Sequence, residues 1–240
     1  MNNTNIVFIS GANRGLGKEI ALRLGKRGMT VLLGCRDISK GKMVEQMISD
    51  LGGISETYPF DLRDPRACYL TIKQIEKKYN YIDILINNAG VFSHENDDTI
   101  DTITDQLMEE MVAVNMLGPL RSTRDFLPLL LRSQAGKIIN ITSDLADFNS
   151  MDGLYNLYRM TKTALNAMTV NVGAELKDTK VKIYGLDPGW MNTDMGGAEG
   201  PQTPMEVSNW VEWVLDLQDS FPSGTVFYEY QIAKWWNINR

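Results

Sequence analysis

Ile6-Val7-Phe8-Ile9-Ser10-Gly11-Ala12-Asn13-Arg14-Gly15-Leu16-Gly17-Lys18 reads as a strand, a tight turn and the opening of a helix. The apolar run at 6–10 suits a strand covered on both faces. Glycines at 11, 15 and 17 let the backbone approach a ligand closely. The helix that follows points free amides and a favourable dipole at an anion. The spacing is G-x-x-x-G-x-G, not the common G-x-G-x-x-G. It lacks the Gly-Lys-Ser/Thr ending of a P-loop, which argues against nucleotide hydrolysis. A glycine-rich turn can be no more than a turn, but its place after the first strand favours a pyrophosphate cradle.

Further strands are expected at 30–34, 55–59, 82–86, 137–141, 181–186 and 224–227, and helices at 16–26, 39–51, 65–79, 104–131, 154–177 and 204–217. This alternation gives a parallel sheet with helices on both faces. The fold class is α/β: a Rossmann-type doubly wound sheet of about seven strands in a three-layer α/β/α sandwich. No repeat or linker divides the chain, so residues 1–240 read as one domain. Ligands of such sheets sit beyond the carboxyl ends of the strands, where the winding reverses.

Composition narrows the function classes. Charged residues are 22%, apolar ones 43%, and the net charge is -6. With no basic run, nucleic acid is not an expected partner. No stretch nears the ~18 apolar residues of a membrane span, and the first five residues show no signal peptide. Cys35 and Cys68 have no framework spacing and read as core hydrophobes in a reducing, cytoplasmic setting. His94, the only histidine, sits in a polar loop, so metal and histidine-triad chemistry rank low.

The ends of the next strands carry more. After the second come Cys35, Arg36 and Asp37, beside the expected adenosine ribose. An acid there would take the 2′-hydroxyl and repel a 2′-phosphate. Arg36, with Arg14 from the first loop, suits a phosphate instead, which favours NADP over NAD. Asp37 is the competing signal, unless it caps the next helix. Asp61 follows the third strand and is placed to meet the adenine amino group. Asp64 before Pro65 reads as a helix cap.

Tyr158 and Lys162 lie one helical turn apart on one face. An ammonium there favours phenolate, lowering the tyrosine from its usual ~10. Such a tyrosine can serve as a general acid or base. Together with the glycine loop, Asn87-Asn88-Ala89-Gly90 after the fourth strand, Asn115, Ser143, Pro188-Gly189 and Thr193, the pair resembles the short-chain dehydrogenase/reductase family over nearly the whole chain. Gly-Ala-Asn-Arg-Gly at 11–15 and the stretch at 35–41 are nearest to its NADP-dependent carbonyl reductase-like branch. The second stretch is also similar to retinol dehydrogenase-like members.

The resemblance implies an NADP(H)-dependent reduction of an aldehyde or ketone, reversible in principle. It implies that Tyr158 exchanges the proton, Lys162 holds the ribose, Ser143 orients the substrate oxygen and Asn115 holds a water in the proton relay. Gly11, Asn13, Arg14, Gly15, Leu16, Gly17, Arg36, Asp61, Leu62, Asn87, Asn88, Ala89 and Gly90 would line the cofactor channel, with Pro188, Gly189 and Thr193 at its nicotinamide end. The alternatives are a dehydrogenase of a retinol- or steroid-like alcohol and a dinucleotide-binding sensor without catalysis. The proton relay argues against the last.

Some readings stay open. Thr142 competes with Ser143, and Tyr155-x-x-x-Arg159 is a second tyrosine–cation pair. The stretch between Ser143 and Tyr158 is about two residues longer than in many relatives. Residues 190–202 read as a lid hinged on glycines 196, 197 and 200, with Phe92, Phe148 and Met151 as apolar walls. The helices at 104–131 and 154–177 are candidates for a homodimer or homotetramer interface. The tail with Trp235 and Trp236 fits no pattern.

Overall fold

A computed structural model of the protein describes residues 5–93, 99–217 and 220–236. His94 lies outside them. One sheet of eight strands runs in the order β3-β2-β1-β4-β5-β6-β7-β8. β1 is Ile6–Ser10, β2 Thr30–Cys35, β3 Ile54–Pro59, β4 Ile84–Asn87, β5 Lys137–Ile141, β6 Lys182–Asp187, β7 Val226–Tyr228 and β8 Gln231–Ile232. The first seven pair in parallel. β8 turns back antiparallel to β7, so the sheet has one strand more than expected. The winding reverses between β1 and β4, which are direct neighbours.

Two layers of helix cover the sheet. α1 (Gly15–Lys26), α2 (Ile38–Asp50) and α7 (Pro204–Asp216) close one face. α3 (Pro65–Tyr79), α5 (Gly118–Leu131) and α6 (Asn156–Glu175) close the other, where Phe8, Phe60 and Phe126 stack with centroids 4.6 to 6.4 Å apart. The inner strands are buried on both sides, as their apolar runs require. β3 is the exception. It lies at a sheet edge with Ile54 and Pro59 exposed and only Tyr58 buried, so it carries polar residues where the inner strands run apolar.

The helix expected over 104–131 is not uniform. α4 (Asp105–Met111) passes into a π-helical segment, Val112–Leu117, before α5 begins. Pro119 explains the change. It has no amide to offer Asn115, and its ring crowds that carbonyl, so the ladder widens. Asp37 and Asp64 cap α2 and α3 by accepting the amides of Lys40 and Ala67 at 3.2 and 2.9 Å. Among the described residues, no helix is long and apolar enough to cross a membrane.

Phe126 is fully buried between Phe8 and Phe60. Phe126→Ala is expected to lower the unfolding free energy in urea by about 3–5 kcal/mol. A loss below about 1 kcal/mol would show that this face collapses freely around the gap.

Candidate active site

The crevice at the β1/β4 junction is built by one hydroxyl. Ser10 Oγ donates to the Ile86 carbonyl and accepts the amides of Asn88 (3.0 Å) and Ala89 (3.1 Å). Asn88 returns its side-chain amide to the Ser10 carbonyl at 2.9 Å. The two strand ends are thereby fixed with a glycine turn between them. Gly11 (φ 68°) and Gly15 (φ 52°) adopt left-handed backbone that other residues avoid. A Cβ on Gly17 would stand 2.4 Å from the Gly11 carbonyl oxygen, so only glycine lets α1 seat under the loop.

A groove runs from this turn across the sheet's carboxyl edge. Gly11, Asn13, Arg14, Gly15, Leu16, Arg36, Asp61, Leu62, Asn88, Ala89, Gly90, Tyr158, Lys162, Pro188 and Thr193 all line it. Gly17, Asn115, Ser143 and Gly189 stand behind this lining. Asn87 does not reach the groove. Its side chain donates to Asn140 at 2.8 Å and Thr123 at 3.2 Å in a buried polar network. Sequence reasoning missed Phe60, which adds an apolar wall beside Met191 and Met195 of the expected 190–202 segment.

The groove fits a dinucleotide. Its glycine floor is what close approach of a pyrophosphate needs, and the start of α1 faces it. Arg36 lines the groove just beyond the end of β2. Arg14 is engaged across the groove with Asp194 at 2.9 Å, an exposed pair that costs little to break. Asp61 is held by Arg63, which keeps its carboxyl below the usual range. Asp37 is occupied as a cap and does not enter the groove.

At the far end the expected catalytic side chains converge. Lys162 is buried, and its Nζ donates to the Ile141 carbonyl at 2.8 Å and stands 5.5 Å from the Tyr158 ring centre. Asn115 Oδ1 accepts the Val91 amide at 2.8 Å, while its Nδ2 donates to the Val91 carbonyl at 2.9 Å. Ser143 shares a side-chain hydrogen bond with Tyr158 and accepts the Leu145 amide at 3.1 Å. Thr142 also borders the groove, but its hydroxyl donates to Asn166 at 2.6 Å. Ser143 is therefore the hydroxyl beside the tyrosine.

Arg159 is not a second activating cation. It is buried, and its guanidinium donates to the carbonyls of Leu154 (2.9 Å) and Leu145 (3.2 Å) and to Asp152 at 2.9 Å. It ties down the lengthened loop between Ser143 and Tyr158. Tyr155 sits in left-handed backbone at φ 56° before α6 and packs on Phe92.

Electrostatics differ from the expectation. Burial, then the charge of Asp187, holds Tyr158 above its usual value, and Asp144 adds to this while the Ser143 bond opposes it. Burial draws Lys162 down to about 8 against the opposing pull of Asp187. Asp187, which the sequence reading passed over, is pushed up to about 6 by burial and by Asp144.

The segment 190–202 is bound to itself. Trp190 Nε1 donates to the Gly196 carbonyl at 2.6 Å, and Asn192 Nδ2 to that of Ala198 at 3.1 Å. Gly196 and Gly200 are close-packing residues rather than hinges: a Cβ on either would meet Met191 backbone at 2.1 or 2.2 Å. Phe148 is 73% exposed and forms no wall, whereas Phe92 packs edge-on to Tyr158 at 4.9 Å.

The model of the family described as short chain dehydrogenase matches residues 5–204. The chain belongs to the short-chain dehydrogenase/reductase family. An uncharacterized oxidoreductase of Staphylococcus saprophyticus is 30% identical to this family member over 80% of each chain. Human retinol dehydrogenase 11 is also 30% identical, over 79% of this chain and 62% of its own length. A metagenomic short-chain oxidoreductase solved in complex with NADP superposes with a TM-score of 0.81 at 28% identity, covering 93% of this chain and 96% of that one. Like its relatives, this short-chain dehydrogenase/reductase is an oxidoreductase.

Neither cysteine belongs to the site chemistry. Both are free and buried, and burial pushes each thiol up to about 12. Native protein at pH 7.5 is expected to leave both unreactive to Ellman's reagent, with two thiols appearing in denaturant. A thiol that reacts promptly in the native state would contradict the buried placement.

Proposed function

We propose that this oxidoreductase uses NADP(H) to reduce an aldehyde or ketone to an alcohol, reversibly, with Tyr158 as the general acid/base. The observation that carries the reading is the meeting of Ser143, Tyr158, Lys162 and Asn115 at one end of a groove whose other end holds Arg14 and Arg36. When held in this groove, the nicotinamide cofactor would supply hydride chemistry. Ser143 hydrogen-bonds the substrate oxygen and places it by the Tyr158 hydroxyl. Tyr158 gives its proton to that oxygen as negative charge develops. Lys162 holds the ribose hydroxyls and restores the proton, with Asn115 steadying the route behind Gly90. Arg36 and Arg14 take the 2′-phosphate, and the Pro188-Gly189 turn with Thr193 takes the nicotinamide end. Two free thiols support a reducing, cytoplasmic setting.

A second substrate class has its own support. Retinol dehydrogenase 11 is among the 30% identical relatives, and Met191, Met195 and Phe92 give the site an apolar border. A long-chain lipid alcohol is therefore the alternative to a small carbonyl.

Tyr158→Phe is expected to reduce NADPH-dependent turnover by at least about a thousandfold, within the scale of acid/base catalysis, while NADPH binding by fluorescence stays near wild type. Undiminished turnover would remove Tyr158 from the mechanism. Arg36→Ala is expected to weaken NADPH about 10- to 100-fold, the loss of one charged hydrogen-bonding partner, and NADH much less. Equal losses for both cofactors would show that Arg36 does not read the phosphate.

A further inference from the structure

Three separate segments are fastened to one buried carboxylate. Asp187 ends β6 and is 1% exposed. Its Oδ1 accepts the Gly189 amide at 2.9 Å. Its Oδ2 accepts the indole N–H of Trp235 at 3.0 Å, from a residue 48 positions away. The Asp144 backbone amide also faces it and favours its charged form. The loop that carries Ser143, the turn at the nicotinamide end and the tail beyond β8 thus share one anionic anchor. Removal of any one donor leaves the others holding a carboxylate less well neutralised inside protein.

The same carboxylate faces the proton-exchanging pair. Its charge acts on Tyr158 and Lys162 of α6 and on Tyr228 of β7, its register partner. Asp144 is the other charged group that meets it. Lys162 is turned to the Ile141 carbonyl, and no cation pairs directly with Asp187 among the described residues.

We propose that Asp187 is a positioning residue for the reaction: it pins the Ser143 loop, the Pro188-Gly189 turn and the Trp235 tail to one point and sets the charge against which Tyr158 exchanges its proton. The inference rests on the role given to Tyr158 under the proposed function. An ionised Asp187 disfavours the phenolate and so delays proton loss from Tyr158 to higher pH. Trp235 tempers that charge by donating to it.

The signs of the two effects differ, which makes the test sharp. In reduction Tyr158 must be protonated, so kcat/KM falls as pH rises past its apparent pKa. With 4-nitrobenzaldehyde and NADPH, D187N is expected to move that alkaline midpoint down by about half a pH unit or more. W235F keeps the carboxylate but removes its donor, and moves the midpoint up. Hydrogen exchange followed by mass spectrometry reads the pinning without any substrate. W235F is expected to speed exchange several-fold at 144–150 and 189–196 as well as in the tail.

An unmoved midpoint in an active D187N enzyme overturns the proposal. Should D187N fail to fold, W235F decides: faster exchange confined to the tail overturns it. Wild-type protein inactive with aldehydes and ketones would instead sink the proposed function, leaving the exchange experiment to judge the anchor.

Discussion

The hydrogen bonds of the Ser10 hydroxyl hold the ends of β1 and β4 in one geometry, and the site depends on that junction. The sheet splits its winding there, so helices leave in opposite directions and a crevice opens between them. Ser10 closes the base of the crevice by bonding the Asn88 and Ala89 amides. Gly11 then passes within van der Waals contact of Ala89, where a Cβ would stand 3.0 Å from its Cα. Gly90 follows directly and abuts Asn115, which in turn fixes Val91 through paired bonds. A chain of short contacts therefore runs from the glycine turn to the end of the groove where Asn115 and Lys162 lie.

A buried polar layer beneath the site keeps β4, β5 and α6 in register. Asn87 bonds Asn140, Asn140 bonds Thr169, and Thr142 bonds Asn166. Each partner is satisfied, so the layer specifies one alignment of α6 against the sheet instead of merely tolerating burial. That alignment decides where Tyr158 and Lys162 point. Arg159, about a quarter-turn round the same helix, does the corresponding work for the loop above. Two neighbouring residues on α6 thus divide chemistry from support.

What the sequence made legible follows from how local each signal is. β1 and β5 were readable to the residue because buried strands concentrate apolar, β-branched residues, as Ile6–Ile9 and Ile138, Ile139 and Ile141 do. The caps at Asp37 and Asp64 were readable because capping involves only the next three residues. The π segment was hidden because the apolar spacing of 104–131 stays helical, and only Gly118-Pro119 hinted at a change in the ladder. β8 was hidden because a two-residue edge strand has no periodicity. The groove-lining set was legible as an ordered series of motifs. The anchor at Asp187 was not, because it joins residues 144, 187 and 235, and no pattern along the chain records such a meeting.

The electrostatic picture shows why motif and environment must be argued separately. A tyrosine and lysine one turn apart suggest mutual tuning. Yet the ammonium of Lys162 is committed to a main-chain carbonyl, and burial weakens its hold on the proton. Two carboxylates, at 144 and 187, stand nearer in effect to Tyr158 and push its ionisation the other way. A buried phenol that resists ionisation is a weaker acid than a free tyrosine, so releasing its proton needs something that lowers the cost of phenolate. Ser143 is the side chain placed to do this, through the bond that already opposes the carboxylates. In the chain alone, one hydroxyl lowers the cost of ionising Tyr158 and two acids raise it.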